Sequence, residues 1–279
     1  MSTHSNGADG DRNKIRDEGQ REEGAVLLEQ SGPVATLTLA RPAALNALSW
    51  AMYGQLQEHL ERLAADESLR VLIVRGAGKA FAAGTDIQQF RGFNGEDGIA
   101  YERRMEEVLS GLYNFPWPTI AAVHGYAVGA GLVIATACDL RYASPAARFG
   151  APIARTLGNC LSLQNYRRVA RAIGAMRARE MLFTGRLLTA GEALQSGFLT
   201  AIYEEEQLFP RVLEVAQQIS ANAPITLWAA KEADRRIAAV EAEMDIPYDD
   251  VVSRVYGSQD FREGVAAYLE KRKPEWTGR

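Results

Sequence analysis

The chain has 279 residues, 47% of them hydrophobic and 24% charged, which suits one large globular domain or two small ones. Lysine and arginine total 31 against 35 acidic residues, a net charge of −4, so there is no basic excess to hold nucleic acid. Two cysteines (Cys138, Cys160) and three scattered histidines (His4, His59, His124) exclude a disulfide framework and a zinc-ligand cluster.

Residues 1–24 are polar and charge-mixed, and a disordered tail is expected there. The tail lacks the apolar stretch of a secretory signal, and no later run reaches membrane-span length, so a cytoplasmic protein without membrane attachment is the expectation. Ala25 to Gln30 and Val34 to Leu39 flank Gly32-Pro33 and predict a hairpin, stopped at Arg41-Pro42. Met52, Leu56, Leu60 and Leu63 recur at helical spacing; Val71 to Val74 reads as a buried strand. Ala100 to Leu112 predicts a helix with Tyr101, Met105, Val108, Leu109 and Leu112 on one face. Thr119 to Val123 is a second buried strand, Gly131 to Ala137 an apolar helix, and Leu140 to Ala143 a further strand. Helices dominate after Gly150: 163–173, 175–183, 190–196, 208–221, 224–240 and 261–272. Strands alternating with helices define an α/β fold. The predicted division is the tail, an α/β core over 25–220 and a helical C-terminal region over 221–279.

Two segments stand out. Lys79 to Phe90 (KAFAAGTDIQQF) and His124 to Leu140 (HGYAVGAGLVIATACDL) each run from a buried strand into a small-residue turn and then a helix. Small residues let backbone approach a ligand closely, and a turn entering a helix leaves N–H groups unpaired. Two such turns facing each other would offer two donors to one developing oxyanion, as acyl chemistry requires.

Five stretches in register resemble the crotonase (enoyl-CoA hydratase/isomerase) superfamily over roughly Ala25 to Gly278. They are Arg41-Pro42-Ala43-Ala44-Leu45-Asn46-Ala47-Leu48, Ala80 to Asp86, Gly125 to Leu140, Phe183 to Phe198, and Arg262 to Lys273. The resemblance implies a ββα spiral core with a helical C-terminal region, assembled as a homotrimer or a dimer of trimers. It also implies an acyl-CoA substrate, with coenzyme A as part of that substrate and no separate cofactor or metal. On that basis Thr85 and Ala130 supply the two oxyanion-hole N–H groups. Ala43, Ala44, Leu45 and Ala83 resemble adenine and pantetheine contacts. Gly84, Asp86, Ile87, Gly129, Val133, Ile153 and Asn159 are the remaining substrate-site candidates. Lys271 or Lys273 would meet a CoA phosphate, with a solvated helix end as the simpler reading.

The chain departs from the pattern at the acid–base groups. A hydratase of this superfamily carries two glutamates that share a water; their positions here hold Val133 and Ile153, which neither take nor give a proton. Losing acid–base help costs roughly 10²–10⁴-fold per group, so two-glutamate hydration is not expected. Cys160 reads as a structural thiol, His124 as a hydrogen-bonded packing residue, Asp86 as a helix cap, and Tyr126 and Trp117 as pocket wall or core. Glu102, Glu106 and Glu107 read as solvated helix charge. The expectation is an acyl-CoA lyase or isomerase, with a non-catalytic CoA-binding scaffold as the alternative. A dinucleotide-binding oxidoreductase does not fit: Gly125, Gly129 and Gly131 lack the G-x-G-x-x-G spacing.

Overall fold

The computed structural model describes residues 23–242 and 246–279. The disordered-tail expectation for residues 1–22 lies outside the described residues. Glu23 and Gly24, assigned to that tail, already belong to the fold: Gly24 is buried beside Arg41 and Met52, and Glu23 C=O accepts from Ser49 Oγ at 2.6 Å.

A six-stranded sheet carries the core, in the order β1-β2-β3-β4-β6-β9. Its members are β1 (Ala25–Ser31), β2 (Val34–Ala40), β3 (Val71–Gly76), β4 (Thr119–Val123), β6 (Leu140–Ala143) and β9 (Ala201–Ile202). β1 and β2 form the expected antiparallel hairpin, with Gly32 at φ +56° in its two-residue turn. The β2–β3, β3–β4, β4–β6 and β6–β9 pairings are parallel, as crossover helices require. Alternation along β3 and β4 divides the core. Val71, Ile73, Ile120 and Ala122 pack with Leu208, Val212 and Ala216 of helix α8 (Glu205–Ser220) on one face. Leu72, Val74, Ala121 and Val123 point to the other, larger core, which also holds Met52, Tyr53, Leu56 and Leu60 of α1 (Trp50–Ala64).

A second sheet, β5-β7-β8, joins Tyr126–Val128, Arg148–Gly150 and Leu188–Thr189. These strands of two or three residues are too short to show a period and were not expected from the sequence. The remaining helices are α2 (Gly95–Tyr113), α3 (Ala130–Ala137), α4 (Ile153–Thr156), α5 (Leu163–Ile173), α6 (Ala175–Thr184), α7 (Ala190–Gln195), α9 (Pro224–Ala242), α10 (Asp249–Tyr256) and α11 (Gln259–Leu269). α4 and α10 are additions to the sequence reading, and the last helix stops at Leu269 rather than Arg272. Among the described residues no helix is long and apolar enough to cross a membrane.

Asn46 fastens the turn after β2 to the first glycine-bordered loop. It is fully buried at φ +58°, a left-handed conformation asparagine tolerates better than most residues. Its Nδ2 donates to Ala77 and Ala80 C=O at 2.7 Å each, and its Oδ1 accepts from Arg41 N–H at 2.8 Å. Asn46→Ala strands these buried groups and is expected to cost about 3 kcal/mol, given about 1–3 kcal/mol per unsatisfied group. A fall in the urea midpoint at unchanged m-value checks it.

Candidate active site

Both glycine-bordered loops are stitched to one another by main-chain bonds. Phe81 N–H donates to His124 C=O at 2.8 Å, Ala82 N–H to Tyr126 C=O at 2.9 Å, and Val128 N–H to Ala82 C=O at 2.9 Å. The first loop is also paired with Leu48: Leu48 N–H donates to Gly84 C=O and Asp86 N–H to Leu48 C=O. That pairing uses the residues on either side of Thr85 and leaves Thr85 N–H with no backbone acceptor among the described residues. In the second loop Gly129, at φ +55° and ψ −118°, caps α3, so Ala130 is the first helical residue and its N–H precedes the intrahelical ladder. The α3 start lies directly on the first loop. A Cβ on Gly131 would sit 2.1 Å from Ala82 O, and one on Gly129 would sit 3.5 Å from Gly84 Cα.

Thr85 is held by its side chain. Tyr53 and Tyr101 hydroxyls lie 2.7 and 2.8 Å from its Oγ1, forming a chain from α1 to α2. Burial pushes both phenols above their ordinary range, so they remain neutral hydroxyls.

A cavity of about 170 Å³ opens between these turns. Thr85 and Ala130 both line it, as do Ala83, Gly84, Ile87 and Gly129. Val133, Ile153 and Asn159, also expected at the substrate site, line it too. Apolar wall comes from Phe90, Met105 and Leu109, and Tyr268 enters from α11. Ala43, Ala44 and Leu45 do not line the cavity. They form the turn beside it, and Leu45 C=O accepts from Ala83 N–H at 3.0 Å. Asp86 stays outside as well. It caps the short 3₁₀ turn Ile87–Phe90, accepting from Gln88 N–H, and pairs with Arg41 at 2.8 Å. His124 is hydrogen-bonded to Gly78 C=O at 2.9 Å, whereas Tyr126 is 44% exposed and does not line the cavity. Lys271 and Lys273 are exposed beyond the end of α11.

Glu102 corrects the sequence reading. It is 7% exposed and lines the cavity rather than solvent. Tyr256 Oη donates to its Oε1 at 2.8 Å and Ser162 N–H to its Oε2 at 3.1 Å. Burial pushes its pKa up to about 7 against the pull of those two bonds, and the Glu106 charge adds to the rise. The signal was in the helical period, since Glu102 stands three residues before Met105 and seven before Leu109, on the buried face. Gly98, one turn earlier, makes room for Tyr256: a Cβ there would meet the ring at 2.3 Å. Beyond Tyr256, Asn159 Nδ2 donates to its hydroxyl at 3.4 Å, while Asn159 Oδ1 is buried without a partner. The Cys160 thiol is pushed up to about 12 by burial and by Glu102, which keeps it protonated and a poor nucleophile.

Fold and cavity together define a crotonase-type α/β protein with a partly open cavity at its two glycine-bordered turns. A model of the enoyl-CoA hydratase/isomerase family matches residues 29–279. A probable enoyl-CoA hydratase of Rhizobium meliloti is 33% identical over 258 residues, covering 91% of this chain and 98% of that protein. The 2,3-dehydroadipyl-CoA hydratase of Escherichia coli is 33% identical over 257 residues, covering 91% and 99%. A solved methylmalonyl-CoA decarboxylase complexed with 2S-carboxypropyl CoA superposes with a TM-score of 0.81 at 28% identity, covering 91% and 98%. The chain belongs to the enoyl-CoA hydratase/isomerase family.

Proposed function

We propose that this protein is an enzyme acting on acyl-CoA thioesters, with Thr85 and Ala130 N–H as donors to the thioester carbonyl. One observation carries the reading: both amides lie on turns that line a single cavity, and among the described residues neither donates to a backbone carbonyl. Donors fixed before reaction stabilise the charge that develops on an enolate or related oxyanion. The relatives' names, enoyl-CoA hydratases and a methylmalonyl-CoA decarboxylase, supply the substrate class. Ala43, Ala44, Leu45 and Ala83 are then the contacts of the CoA portion, and Gly84, Ile87, Gly129, Val133, Ile153 and Asn159 those nearer the acyl group. Coenzyme A arrives as part of the substrate, with no further cofactor.

The reaction is of lyase or isomerase type but not two-glutamate hydration. Val133 and Ile153 stand where the family resemblance places those carboxylates, and both present hydrocarbon to the cavity. The reading extends to a cytoplasmic homotrimer or dimer of trimers. Ile225, Trp228, Ile237 and Val240 on α9, with Met176 and Phe183 on α6, are exposed apolar groups suited to subunit contacts.

Calorimetric titration with crotonyl-CoA and butanoyl-CoA, joined to product analysis over a panel of CoA thioesters, tests this. Binding with turnover is the expected result. Binding without any product favours a CoA-binding scaffold, and failure to bind any CoA thioester removes the reading altogether.

A further inference from the structure

We propose that Glu102 is the proton-transfer group of this cavity, taking a proton from the carbon next to the thioester carbonyl and returning it to that carbon or to the carbon two bonds further along. The proposal rests on the acyl-CoA reading above and adds to it the group that does the chemistry. Glu102 is the one carboxyl among the described residues lining the cavity that also holds Thr85 and Ala130. It is therefore where an acid–base function falls once Val133 and Ile153 are aliphatic.

Its setting is costly for a purely architectural role. A buried carboxyl is ordinarily paired with a cation, yet among the described residues Glu102 has only two neutral donors, Tyr256 Oη and Ser162 N–H. The titratable groups that face it are Glu106 and Tyr101 on its own helix, Tyr53 on α1, Cys160 on the loop before α5, Tyr256 on α10 and Tyr248 just before that helix. None of them carries a positive charge; Arg168 on α5 is engaged by Glu106 at 2.6 Å rather than by Glu102. Asn159, which donates to the Tyr256 hydroxyl at 3.4 Å, lines the same cavity.

The step balances with a single carboxyl. The α C–H bond breaks, its proton forms an O–H bond on Glu102, and the electron pair moves into an enolate whose oxygen the two amides hold. While the enolate persists the Glu102 O–H proton exchanges with a solvent hydron, and collapse then delivers that hydron to the α-carbon, which is the exchange observed. In a β,γ-unsaturated thioester, return at the γ-carbon moves the double bond into conjugation with the carbonyl, and the reverse reaction takes the γ proton of the α,β-unsaturated thioester and returns it at the α-carbon. No water is added and nothing is oxidised or reduced. A carboxyl titrating near neutrality is suited to both halves of the step.

The experiment follows the α-protons of butanoyl-CoA in D₂O by proton NMR, with the thioester affinity measured in parallel. Wild-type protein is expected to exchange them, with a rate that rises as pH increases through about 7, as for a base that must be ionised. E102Q is expected to bind butanoyl-CoA with unchanged affinity and to lose roughly 10²-fold or more of the exchange rate. Exchange by E102Q at the wild-type rate overturns the proposal. A wild-type profile that is flat across neutrality overturns it without any variant, as does wild-type protein that binds butanoyl-CoA and exchanges nothing. Failure of the wild type to bind the thioester removes the acyl-CoA reading itself, a distinct result.

Discussion

Replacing Ala130 with proline is expected to slow butanoyl-CoA α-proton exchange by roughly 10²–10³-fold, the usual effect of deleting one oxyanion donor, while leaving the fold in place. Proline replaces the N–H that the reaction is proposed to use with a ring carbon, so the donor is lost and its position is filled. Ala130 is the first residue of α3, where an N–H has no intrahelical acceptor and where proline is favoured. Gly129 before it already sits at φ +55° and ψ −118°, the mirror image of an extended conformation, which is open to glycine and keeps clear of the helical region that a following proline forbids. The comparison variants keep the amide. Ala130→Gly retains the donor and is expected to exchange at a rate near wild type. Thr85→Ala also retains its N–H but removes the Oγ1 that bridges Tyr53 and Tyr101, so its effect belongs in stability more than in rate. Exchange by A130P at the wild-type rate, with the thioester bound as tightly, would show that the second turn contributes no donor.

The distribution of what was legible in the sequence follows from length scale. Strands β3 and β4 announce themselves because four consecutive apolar residues with glycine or proline close by have few other readings. α1 does so through its repeat of Met52, Leu56, Leu60 and Leu63, with Ser49 capping it by accepting from Met52 N–H. β8 and β9 have two residues each and leave no period to detect. α10 has eight residues and only Val252 and Tyr256 buried, so its pattern barely completes two turns. The cavity shows the same division. The turns at Gly84 and Gly129 are local features and could be read locally. The environment of Glu102 is not local, because Tyr256 is 154 residues away in sequence and Ser162 is 60. A rule that treats helix glutamates as solvated fails where a distant helix closes over one of them. Ala43 to Leu45 and Asp86 shape the loop from behind, so their place beside the motif did not by itself put them on the cavity wall.

Glu102 also makes a prediction about stability that runs opposite to its proposed usefulness. In the unfolded chain a glutamate titrates near 4.5, whereas in the fold burial holds this one at about 7. Between those values the folded state keeps a proton that the unfolded state has released. Stability therefore falls as pH rises through this window: the contribution is complete below about pH 4.5 and lost above about pH 7. At about 1.4 kcal/mol per pKa unit the loss is about 3 kcal/mol. E102Q cannot ionise and escapes it. Glutamine Oε1 can still accept from Ser162 N–H, and its Nε2 can donate to Tyr256 Oη. Urea titrations of wild type and E102Q are expected to coincide near pH 4 and to separate by about 3 kcal/mol in favour of E102Q near pH 8. A variant less stable than wild type at both pH values would mean that the carboxyl holds α2 to α10 and that its burial needs no chemical explanation. The expected order, with the inactive variant the more stable protein, assigns the cost of the buried charge to reaction rather than architecture, because a neutral amide would satisfy the same neighbours without it.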